Sequence, residues 1–435
     1  MANKHASLDA LFADIANAIR EKTGDTGTIP TAEFPSMIRE RLEVIPPLPY
    51  LTFNSPSSFT LAVNDATKHW DGTLEYSTDT STWATWDGTT TISSATSGSN
   101  NVLYLRGIGN TVITGNNINY KWVLTGSNIK CIGNIENLLD YATIETGAHP
   151  TMATSCYQYM FNACTSLTKA PDLPATTLVN DCYHSMFYSC TSLTQVPALP
   201  ATTLAANCYY DMFGNCTSLT KAPDLPATTL VNDCYHSMFY NCTSLTQAPP
   251  LPATTLANNC YDSMFQECIG LTKAPALPAT TLAPNCYQAM FRGCTSLTQA
   301  PTLPATTLAN YCYNYMFSGC TSLIQTPALP ATTLANSCYQ FIFRNCTSLT
   351  QAPSLPATTL VDYCYYGMFS GCTSLKLSST QTGEYTIAYR IPTTGTGTTA
   401  TSALTDMFIS TGGTFTGTPE INTTYYLSNT NTVVG

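Results

Sequence analysis

The sequence predicts an α/β solenoid of nine stacked 26-residue turns. Nine copies of one unit follow each other from Cys156 without a change in spacing, and the second copy reads CYHSMFYSCTSLTQVPALPATTLAAN. Every copy begins with a cysteine and has a second cysteine eight residues later. Each copy also carries about nine constant apolar positions, which can be buried only if neighbouring copies stack.

The composition favours a folded protein with a neutral polar surface. Of the 435 residues, 44% are hydrophobic and 10% are charged, against about 25% charged in an average soluble domain. A formal net charge of −10 argues against a nucleic-acid groove, because neutralising phosphates requires clustered Lys and Arg. We expect no membrane span, since no run of 18 apolar residues is present, and no secretory signal, since acids intersperse the amphipathic start.

Residues 1–46 predict a helical leader for attachment or oligomerisation. Leu8, Phe12 and Ile15 lie on one apolar stripe of a helix expected over residues 8–22, and a second short helix is expected over 35–43. A helical hairpin of this size buries too little apolar surface to be stable alone. It therefore either packs on the rest of the chain or docks to a larger assembly.

A small β-sandwich module is predicted over residues 51–115. Short alternating runs such as FTLAV and NVLYLRG predict strands, and the Asp-Gly pairs at 71–72 and 87–88 predict hairpin turns. Trp70, Trp83 and Trp86 lie among these runs. Stacking on sugars is one role for exposed tryptophans, but packing in the module's core is the better explanation.

The segments on either side of the repeats are expected to cap the solenoid, because terminal repeats must differ from internal ones. Residues 116–155 form the expected N-terminal cap, and the solenoid proper is expected over 156–376. Residues 377–435 are expected to form a C-terminal cap and a β segment. Their SALTDMF stretch resembles the start of a copy with its cysteine missing.

Strand, turn and helix are expected to follow each other within each copy, as in leucine-rich repeats. SLTQVP predicts a short strand that prolines end. CYHSMFYSC has apolar residues at i, i+4, i+5 and i+8, which is typical of a short helix or a 3₁₀ turn. The constant apolar positions, taken from one copy into the next, are Leu167, Ala170, Leu173, Leu178, Cys182, Met186, Phe187, Cys190 and Leu193.

The repeat resembles the BspA-like bacterial leucine-rich repeats, whose pattern is AF-x-x-C-x-x-L-x-x-I followed by LP and a further leucine. The corresponding positions in the second copy are Met186, Phe187, Cys190, Leu193, Val196, Leu199 and Pro200. The resemblance covers about residues 131–376 and implies a leucine-rich-repeat solenoid. The chain departs from the pattern by a longer period and by the extra first cysteine with its tyrosine.

The two ends of the chain resemble a different group. LFADIANAIREKTGDTGTIPTAEFP near the start is similar to the helical leader of tail-fibre proteins of gut bacteriophages, and GTPEINTTYY near the end is similar to terminal segments of that group. The resemblance implies a receptor-binding protein on the virion tail, made in the host cytoplasm. Its expected partners are other tail or virion proteins through residues 1–46, with a homo-oligomer as a further expectation.

Nineteen cysteines allow three interpretations. Zinc is disfavoured because the spacing gives no CxxC pair and no nearby histidine. A disulfide within a copy would join residues eight apart, which a regular helix separates by about 12 Å, although a bent corner would allow it. Equivalent cysteines in adjacent copies lie close enough on distance alone. The interpretation we favour is a ladder of buried free thiols, because reduced cysteine packs as a small hydrophobe.

Variation among the copies indicates where a ligand would bind. The copies differ in two columns after Cys-Tyr, in two columns before the second cysteine, in the column of Lys169 and Gln195, and in the column of Asp172 and Ala198. Tyr, Asn, Ser and Gly predominate in the columns between the cysteines, as in adaptable binding surfaces, but an unconstrained solvated surface would look the same. The candidate ligand-binding residues are Tyr159, His184, Tyr188, Tyr210, His236, Tyr240, Tyr315, Phe341 and Tyr366.

No catalytic, metal-binding or cofactor-binding group is expected, because nine equal copies single out no cysteine or histidine and no pair of carboxylates converges. The sequence therefore predicts a non-enzymatic structural protein of a phage tail that presents a repetitive surface to a host cell-surface glycan or protein. The alternative is a BspA-like adhesin on a bacterial surface. Such an adhesin is expected to carry a secretion signal or an anchor.

Overall fold

A computed structural model describes residues 48–392 and 400–435 of the chain. The helices expected over residues 8–22 and 35–43 lie outside these residues. Residues 49–435 form one compact unit, in which a β module, the repeats and a C-terminal segment follow each other.

The β module precedes the repeats and contains nine short strands. They are β1 (Leu51–Ser55), β2 (Thr60–Val63), β3 (Thr73–Ser77), β4 (Ala84–Trp86), β5 (Ile92–Ser93), β6 (Ala95–Ser97), β7 (Asn100–Ile108), β8 (Trp122–Thr125) and β9 (Ile129–Ile132). One sheet has the order β9-β1-β7-β3-β4 with β6 also on β7, and a second has the order β5-β2-β8. The last two strands lie beyond residue 115, so the module extends into the segment expected to cap the solenoid.

Three tryptophans fill the core of this module. The rings of Trp70 and Trp86 are 5.1 Å apart, and those of Trp86 and Trp122 are 5.5 Å apart. All three side chains are buried, which confirms core packing for Trp70 and Trp86. Trp83 is half-buried, and the guanidinium of Arg106 lies 4.1 Å from its ring centroid.

The β module is continuous with the first copy. β9 pairs in parallel with β10 (Leu167–Lys169), the strand of that copy, and a short helix α1 (Asn137–Glu145), interrupted at Asp140, connects the two regions. A 3₁₀ turn spans Ile118–Tyr120. The N–H groups of Ile113 and Trp122 donate to carbonyls of the first copy, both at 2.8 Å. The sheet edge is thus covered by the repeats.

The stretch between the two cysteines of each copy is not helical, and the prediction of a short helix there is wrong. We call the residues from one position before the first cysteine to the second cysteine the turn segment, which is 181–190 in copy 2. It consists of successive turns, with a left-handed residue at every fourth position, such as Asp181 (φ 57°), Ser185 (φ 50°) and Ser189 (φ 59°). An α-helix cannot accommodate such residues, because each reverses the local backbone twist.

The remainder of each copy, which carries the LP dipeptide, forms the proline side of the solenoid. Regular strands occur there only at the ends, as β10, β11 (Gln351–Pro353) and β12 (Lys376–Ser378). In other copies the predicted strand is reduced to single parallel bridges, such as the one between Lys221 and Gln247. The prolines that flank these bridges have no N–H and interrupt the ladder.

The core of the repeats consists of columns of identical residues. All nine constant apolar positions predicted from the sequence are buried, from Leu167 to Leu193. The phenylalanine rings stack from Phe161 to Phe369 at 5.5–5.9 Å. The tyrosine rings from Tyr157 to Tyr365 stack in a parallel column at 5.7–5.9 Å.

The C-terminal segment continues the stack and then closes it. Residues 401–409 pair with the last copy, and Phe408 stacks on Phe369 at 5.5 Å. β13 (Tyr385–Arg390), β14 (Gly412–Gly413) and β15 (Thr424–Ser428) form a sheet with β12 in the order β13-β15-β12-β14. The last strand, β16 (Thr432–Val434), pairs with β11 instead.

Candidate recognition surface

The turn segment alternates two constant, buried residues with two variable ones, which range from buried, as at Ser185, to exposed, as at Arg344. In copy 2, Cys182 and Tyr183 are buried, and His184 then lies at the surface. Met186 and Phe187 are buried again, and Tyr188 lies at the surface. The four variable columns between the cysteines therefore share one side of the solenoid, which we call the turn face.

Backbone hydrogen bonds hold the turn segments of adjacent copies together at every other residue. The N–H groups of Tyr183, Ser185 and Phe187 donate to carbonyls of copy 3 at 2.8–3.0 Å, while those of Met186 and Tyr188 donate within copy 2 at 3.2 Å. The same alternation recurs from copy to copy. The backbone beneath the turn face is therefore held in a regular register, and the side chains of successive copies lie side by side.

The cysteines lie in the core beneath the turn face. All nineteen are buried free thiols, so the predicted ladder of buried cysteines is confirmed. From copy 2 onward, the second cysteine of each copy donates from Sγ to the backbone of the preceding copy, as Cys190 does to the Phe161 carbonyl at 3.0 Å, while Cys164 of copy 1 donates to the Trp122 carbonyl at 3.3 Å. Burial raises the pKa of Cys364 to about 11 and that of Cys372 to about 12. At neutral pH these thiols stay protonated, which disfavours nucleophilic or metal-ligating roles.

Four of the predicted ligand-binding residues form a continuous row on copies 1–4, which we call the histidine row. Tyr159 and His184 are 5.4 Å apart, His184 and Tyr210 4.7 Å, and Tyr210 and His236 4.4 Å. The Nδ1 atoms of both histidines lie 3.4 and 3.7 Å from the carboxylates of Asp181 and Asp233. Burial lowers the pKa of His184, which disfavours its charged form.

Acidic side chains flank the histidine row. Burial raises the pKa of Asp211 to about 7, and among the described residues its carboxylate has no hydrogen-bond or ion-pair partner. Asp262 continues the column of the histidines, and its carboxylate accepts from Ser263 Oγ at 2.7 Å and Gln288 Nε2 at 3.1 Å. Burial raises the pKa of Asp262 as well. This half of the turn face therefore combines rings with acids.

Three further predicted residues form a second row on copies 7–9, which we call the arginine row. Tyr315 and Phe341 are 4.7 Å apart, and Phe341 meets Tyr366 edge-on at 5.0 Å. The guanidinium groups of Arg292 and Arg344 lie 5.4 and 5.1 Å from the centroids of Tyr315 and Phe341. Cation–π contacts of this kind hold the rings and the positive charges together.

The last two predicted residues, Tyr188 and Tyr240, lie in the columns nearer the second cysteine. The Tyr188 ring covers Gly214 of the next copy, within 2.8 Å of where a Cβ would stand. The structure thus places all nine predicted residues on the turn face but distributes them between two rows and a flanking column. Copies 5 and 6 separate the rows, because they carry no aromatic residue in these columns.

Two exposed tyrosines were missed by the sequence analysis. Tyr311 and Tyr363 precede the first cysteines of copies 7 and 9 and are 42% and 39% exposed. The Tyr363 ring meets Tyr366 at 5.8 Å. Other copies place Asn, Asp or Ser in this column, and that exchange was the signal that could have identified both tyrosines.

The remaining variable columns lie away from the turn face, on the proline side. Lys169 forms a parallel backbone β-bridge with Gln195 between copies 1 and 2, and Lys221 forms one with Gln247 between copies 3 and 4. No backbone hydrogen bond joins residues 191–206 of copy 2 to residues 217–232 of copy 3, or residues 243–258 of copy 4 to residues 269–284 of copy 5. On the proline side some junctions between copies are closed, meaning that the two backbones are paired, and others are open, meaning that they are not. On the turn side the backbones of adjacent copies are paired throughout.

Other site chemistries find no support in the part of the chain that the structure describes. No group of three or more His, Cys, Asp or Glu side chains there is arranged to hold a metal ion. None of the helices in residues 48–392 and 400–435 has the length and apolar character that a membrane crossing requires.

Comparison with known families identifies the repeat. The family model described as "BspA type Leucine rich repeat region (6 copies)" matches residues 116–220, 154–290 and 258–390, which together make up more than half of the chain. The chain belongs to the BspA-type leucine-rich-repeat family. No curated protein matches it.

One solved structure is similar over part of the chain. It is a leucine-rich repeat protein from Bacteroides ovatus, with 16% sequence identity and a TM-score of 0.21, over 50% of this chain and 74% of that protein. At this TM-score the likeness carries no argument about the fold.

Proposed function

We propose that the chain is a non-enzymatic, surface-displayed recognition protein of the adhesin type, and that its turn face binds a cell-surface glycan or protein. Membership of the BspA-type family supports a surface-associated repeat protein. The observation that carries the proposal is the continuity of the variable columns, which adjoin from copy to copy while the constant columns are buried. A repetitive ligand would meet several weak contacts at once, which multiplies their effect.

The arginine row is the part of the turn face that best fits recognition. Tyr311, Tyr315, Phe341 and Tyr363 all occupy left-handed backbone positions, with φ between 53° and 58°. A bulky side chain in that conformation costs on the order of 1 kcal/mol, and most other copies have a smaller residue there, with Tyr159 of copy 1 (φ 61°) as an exception. Because Tyr311 and Tyr363 are exposed rather than packed in the core, binding is the role that offsets this strain.

Charge strengthens the assignment to this row. Among the described residues, neither Arg292 nor Arg344 has a carboxylate within 4.0 Å. The carboxylate of Glu267 in copy 5 lies against Gly293, the residue that follows Arg292. The two guanidinium groups are therefore available for acidic groups of a ligand, which arginine binds through paired hydrogen bonds.

A binding assay on intact candidate host cells tests the proposal. The triple variant Tyr315→Ser, Phe341→Ser and Tyr366→Gln uses residues that other copies carry at the same positions, so the fold is retained. We expect the variant to lose at least about tenfold in cell binding, as expected for removal of aromatic anchors from an interface. The matched control is Lys221→Gln on the proline side, which should bind like the unchanged protein. Equal binding by the triple variant would exclude the arginine row as the recognition surface.

A phage-tail location is the more specific form of this proposal. It rests on the likeness of residues 1–46 and of GTPEINTTYY to tail-fibre proteins, and neither the described residues nor the family match adds to it. In this form the leader binds other tail proteins or makes a homo-oligomer, and the protein resides on the virion. A chain lacking residues 1–46 should then fail to enter particles while keeping its binding to cells. Display on a bacterial surface, seen by labelling intact bacteria, would favour the adhesin instead.

A further inference from the structure

Two junctions on the proline side are open, and each contains a groove. The groove between copies 2 and 3 has a volume of about 500 Å³, with Gln195, Pro197 and Ala198 on one wall and Lys221 on the other. The groove between copies 4 and 5 has a volume of about 710 Å³ and equivalent walls. At the closed junction between copies 1 and 2, by contrast, a backbone hydrogen bond of 3.1 Å joins the N–H of Thr194 to the carbonyl of Thr168.

The last strand of the chain shows what such a junction accepts. β16 lies alongside β11 of copy 8 in parallel register, with Gln351 opposite Thr432 and Pro353 opposite Val434. The N–H of Ser354 donates to the Val434 carbonyl at 2.6 Å. An extended segment thus adds to the proline side of copy 8 as an extra strand.

Asn431 anchors this strand to two copies at once. Its side chain is fully buried, and Nδ2 donates to the carbonyls of Thr350 and Ser374, both at 3.1 Å. Its Oδ1 accepts from the N–H of Lys376 at 2.9 Å. Since Thr350 belongs to copy 8 and the other two residues to copy 9, one asparagine satisfies backbone groups on both sides of the junction.

The same backbone groups lack partners in the groove between copies 2 and 3. Six periods of 26 residues earlier, the equivalents of Thr350, Ser374 and Lys376 are Thr194, Ser218 and Thr220. Among the described residues, the carbonyls of Thr194 and Ser218 and the N–H of Thr220 have no hydrogen-bond partner in the protein. Residues 195–197 of copy 2 likewise have no hydrogen-bonded neighbour on the copy 3 side.

We propose that the groove between copies 2 and 3 binds an extended segment of a partner polypeptide, with an asparagine followed by small β-branched residues, as in Asn-Thr-Val-Val. The segment adds as a parallel strand to residues 195–197, and its asparagine bridges Thr194, Ser218 and Thr220. Main-chain bonds supply affinity in this mode of recognition, and the asparagine supplies specificity. A second copy of this chain is the less suitable occupant, because its own β16 is held at high effective concentration by its own copy 8.

The groove between copies 4 and 5 should bind the same segment more weakly. The N–H that Ser354 donates to Val434 has its equivalent in Ala198 of copy 2, whereas copy 4 has Pro250 at this position. Proline has no N–H to donate, so one main-chain hydrogen bond is lost there. The two grooves thus form a matched pair within one molecule.

Fluorescence anisotropy with a labelled peptide of sequence NTNTVVG, which copies residues 429–435, tests the proposal on the full chain. We expect saturable binding that weakens at least about fivefold in Ala198→Pro, which copies the natural Pro250. The matched control is Ala328→Pro, the same exchange in copy 7, whose junction with copy 8 is closed by the hydrogen bond from the N–H of Thr350 to the carbonyl of Ile324. A peptide with the asparagine that corresponds to Asn431 replaced by alanine should bind at least as weakly as the wild-type peptide binds to Ala198→Pro.

Three outcomes would overturn the proposal. One is the absence of saturable peptide binding, and another is equal weakening by Ala198→Pro and Ala328→Pro. The third is self-association of the full chain that disappears when residues 431–435 are removed, since a second copy would then be the occupant. Because cell binding depends on the turn face and this groove lies on the proline side, failure here leaves the proposed function untouched.

Discussion

The turn segment contains constant, buried columns, which we call the inner rows, and variable columns, which we call the outer rows. The two kinds of column alternate along the same ten residues but differ in which residues they accept. The inner rows repeat Cys, Tyr, Met, Phe and Cys in every copy, with Ile342 as the one exchange. Ring stacking at 5.5–5.9 Å leaves no freedom there. The outer rows vary, but within a limit set by the left-handed positions, which favour Asn, Asp, Ser and Gly. Tyr311 and Phe341 are neither core residues nor residue types that favour the left-handed conformation, and such side chains are therefore the ones that indicate binding.

The largest effect should come from the inner row in the middle of the stack. Phe239→Ala removes a fully buried ring between Phe213 and Phe265. We expect a loss of about 3–5 kcal/mol in the free energy of unfolding, from lost burial and a residual cavity. Urea unfolding measures it. Tyr240→Ser, in the adjacent outer row, is the control and should change the same quantity by less than about 0.5 kcal/mol. Comparable losses in both variants would abolish the distinction between inner and outer rows.

An intermediate, pH-dependent effect is expected at Asp211. Burial raises its pKa from 3.8 to about 7, so the folded protein keeps a proton that the unfolded chain loses between about pH 4 and pH 7. The contribution of this group to stability is therefore fully present below pH 4 and is lost as the pH rises through 7. Asp211→Ser, the residue of copies 2, 4 and 5, should stabilise the protein at pH 8 by about 2 kcal/mol.

Thermal unfolding at pH 4 and pH 8 measures this effect. The gain from Asp211→Ser should disappear at pH 4. Ser237→Asp, which places a carboxyl at the same position of the next copy, should impose an additional loss of stability at pH 8. A gain from Asp211→Ser that is equal at both pH values would mean that burial of the carboxylate is not its cause.

The smallest effect concerns the left-handed aromatic residues. Tyr311→Asn introduces the residue that copies 3, 5 and 6 carry at this position, where φ is 58°. We expect it to stabilise the chain by about 0.5–1 kcal/mol in urea unfolding, because asparagine tolerates this conformation better than tyrosine. The reverse exchange, Asn285→Tyr, should cost a similar amount. Destabilisation by Tyr311→Asn would show that packing, rather than binding, accounts for the tyrosine.

The sequence was a good guide to what is repeated and a poor guide to how the backbone runs. Identity across copies identified Leu167, Met186 and Phe187 as core, because stacking places equal residues in equal surroundings. The apolar spacing of CYHSMFYSC, at i, i+4, i+5 and i+8, predicts a short helix or a 3₁₀ turn. Successive turns in which two buried residues alternate with two variable ones give nearly the same spacing of apolar residues.

The polar residues of the same stretch carry the signal that distinguishes turns from a helix. Asp181, Ser185 and Ser189 recur at intervals of four, and their counterparts in other copies are mostly Asn, Asp, Ser or Gly. These are the residues that tolerate positive φ. Their enrichment resembles that of a binding surface, but the left-handed backbone conformation explains most of it. The open and closed junctions of the proline side could not be predicted, because they depend on pairing between copies rather than on any one copy.

Closed and open junctions alternate over copies 1–5, so a pair of copies is the repeating unit there, whereas the junctions from copy 5 to copy 8 are all closed. Residues 165–188 and 217–240, two copies apart, are identical. The 52-residue modules made of copies 1–2 and of copies 3–4 each bring one closed junction with Lys opposite Gln and one open groove before the next copy. Inserting or deleting a module would change the number of grooves by one and preserve every type of contact. The valency of the proline side is thus set by the number of these modules.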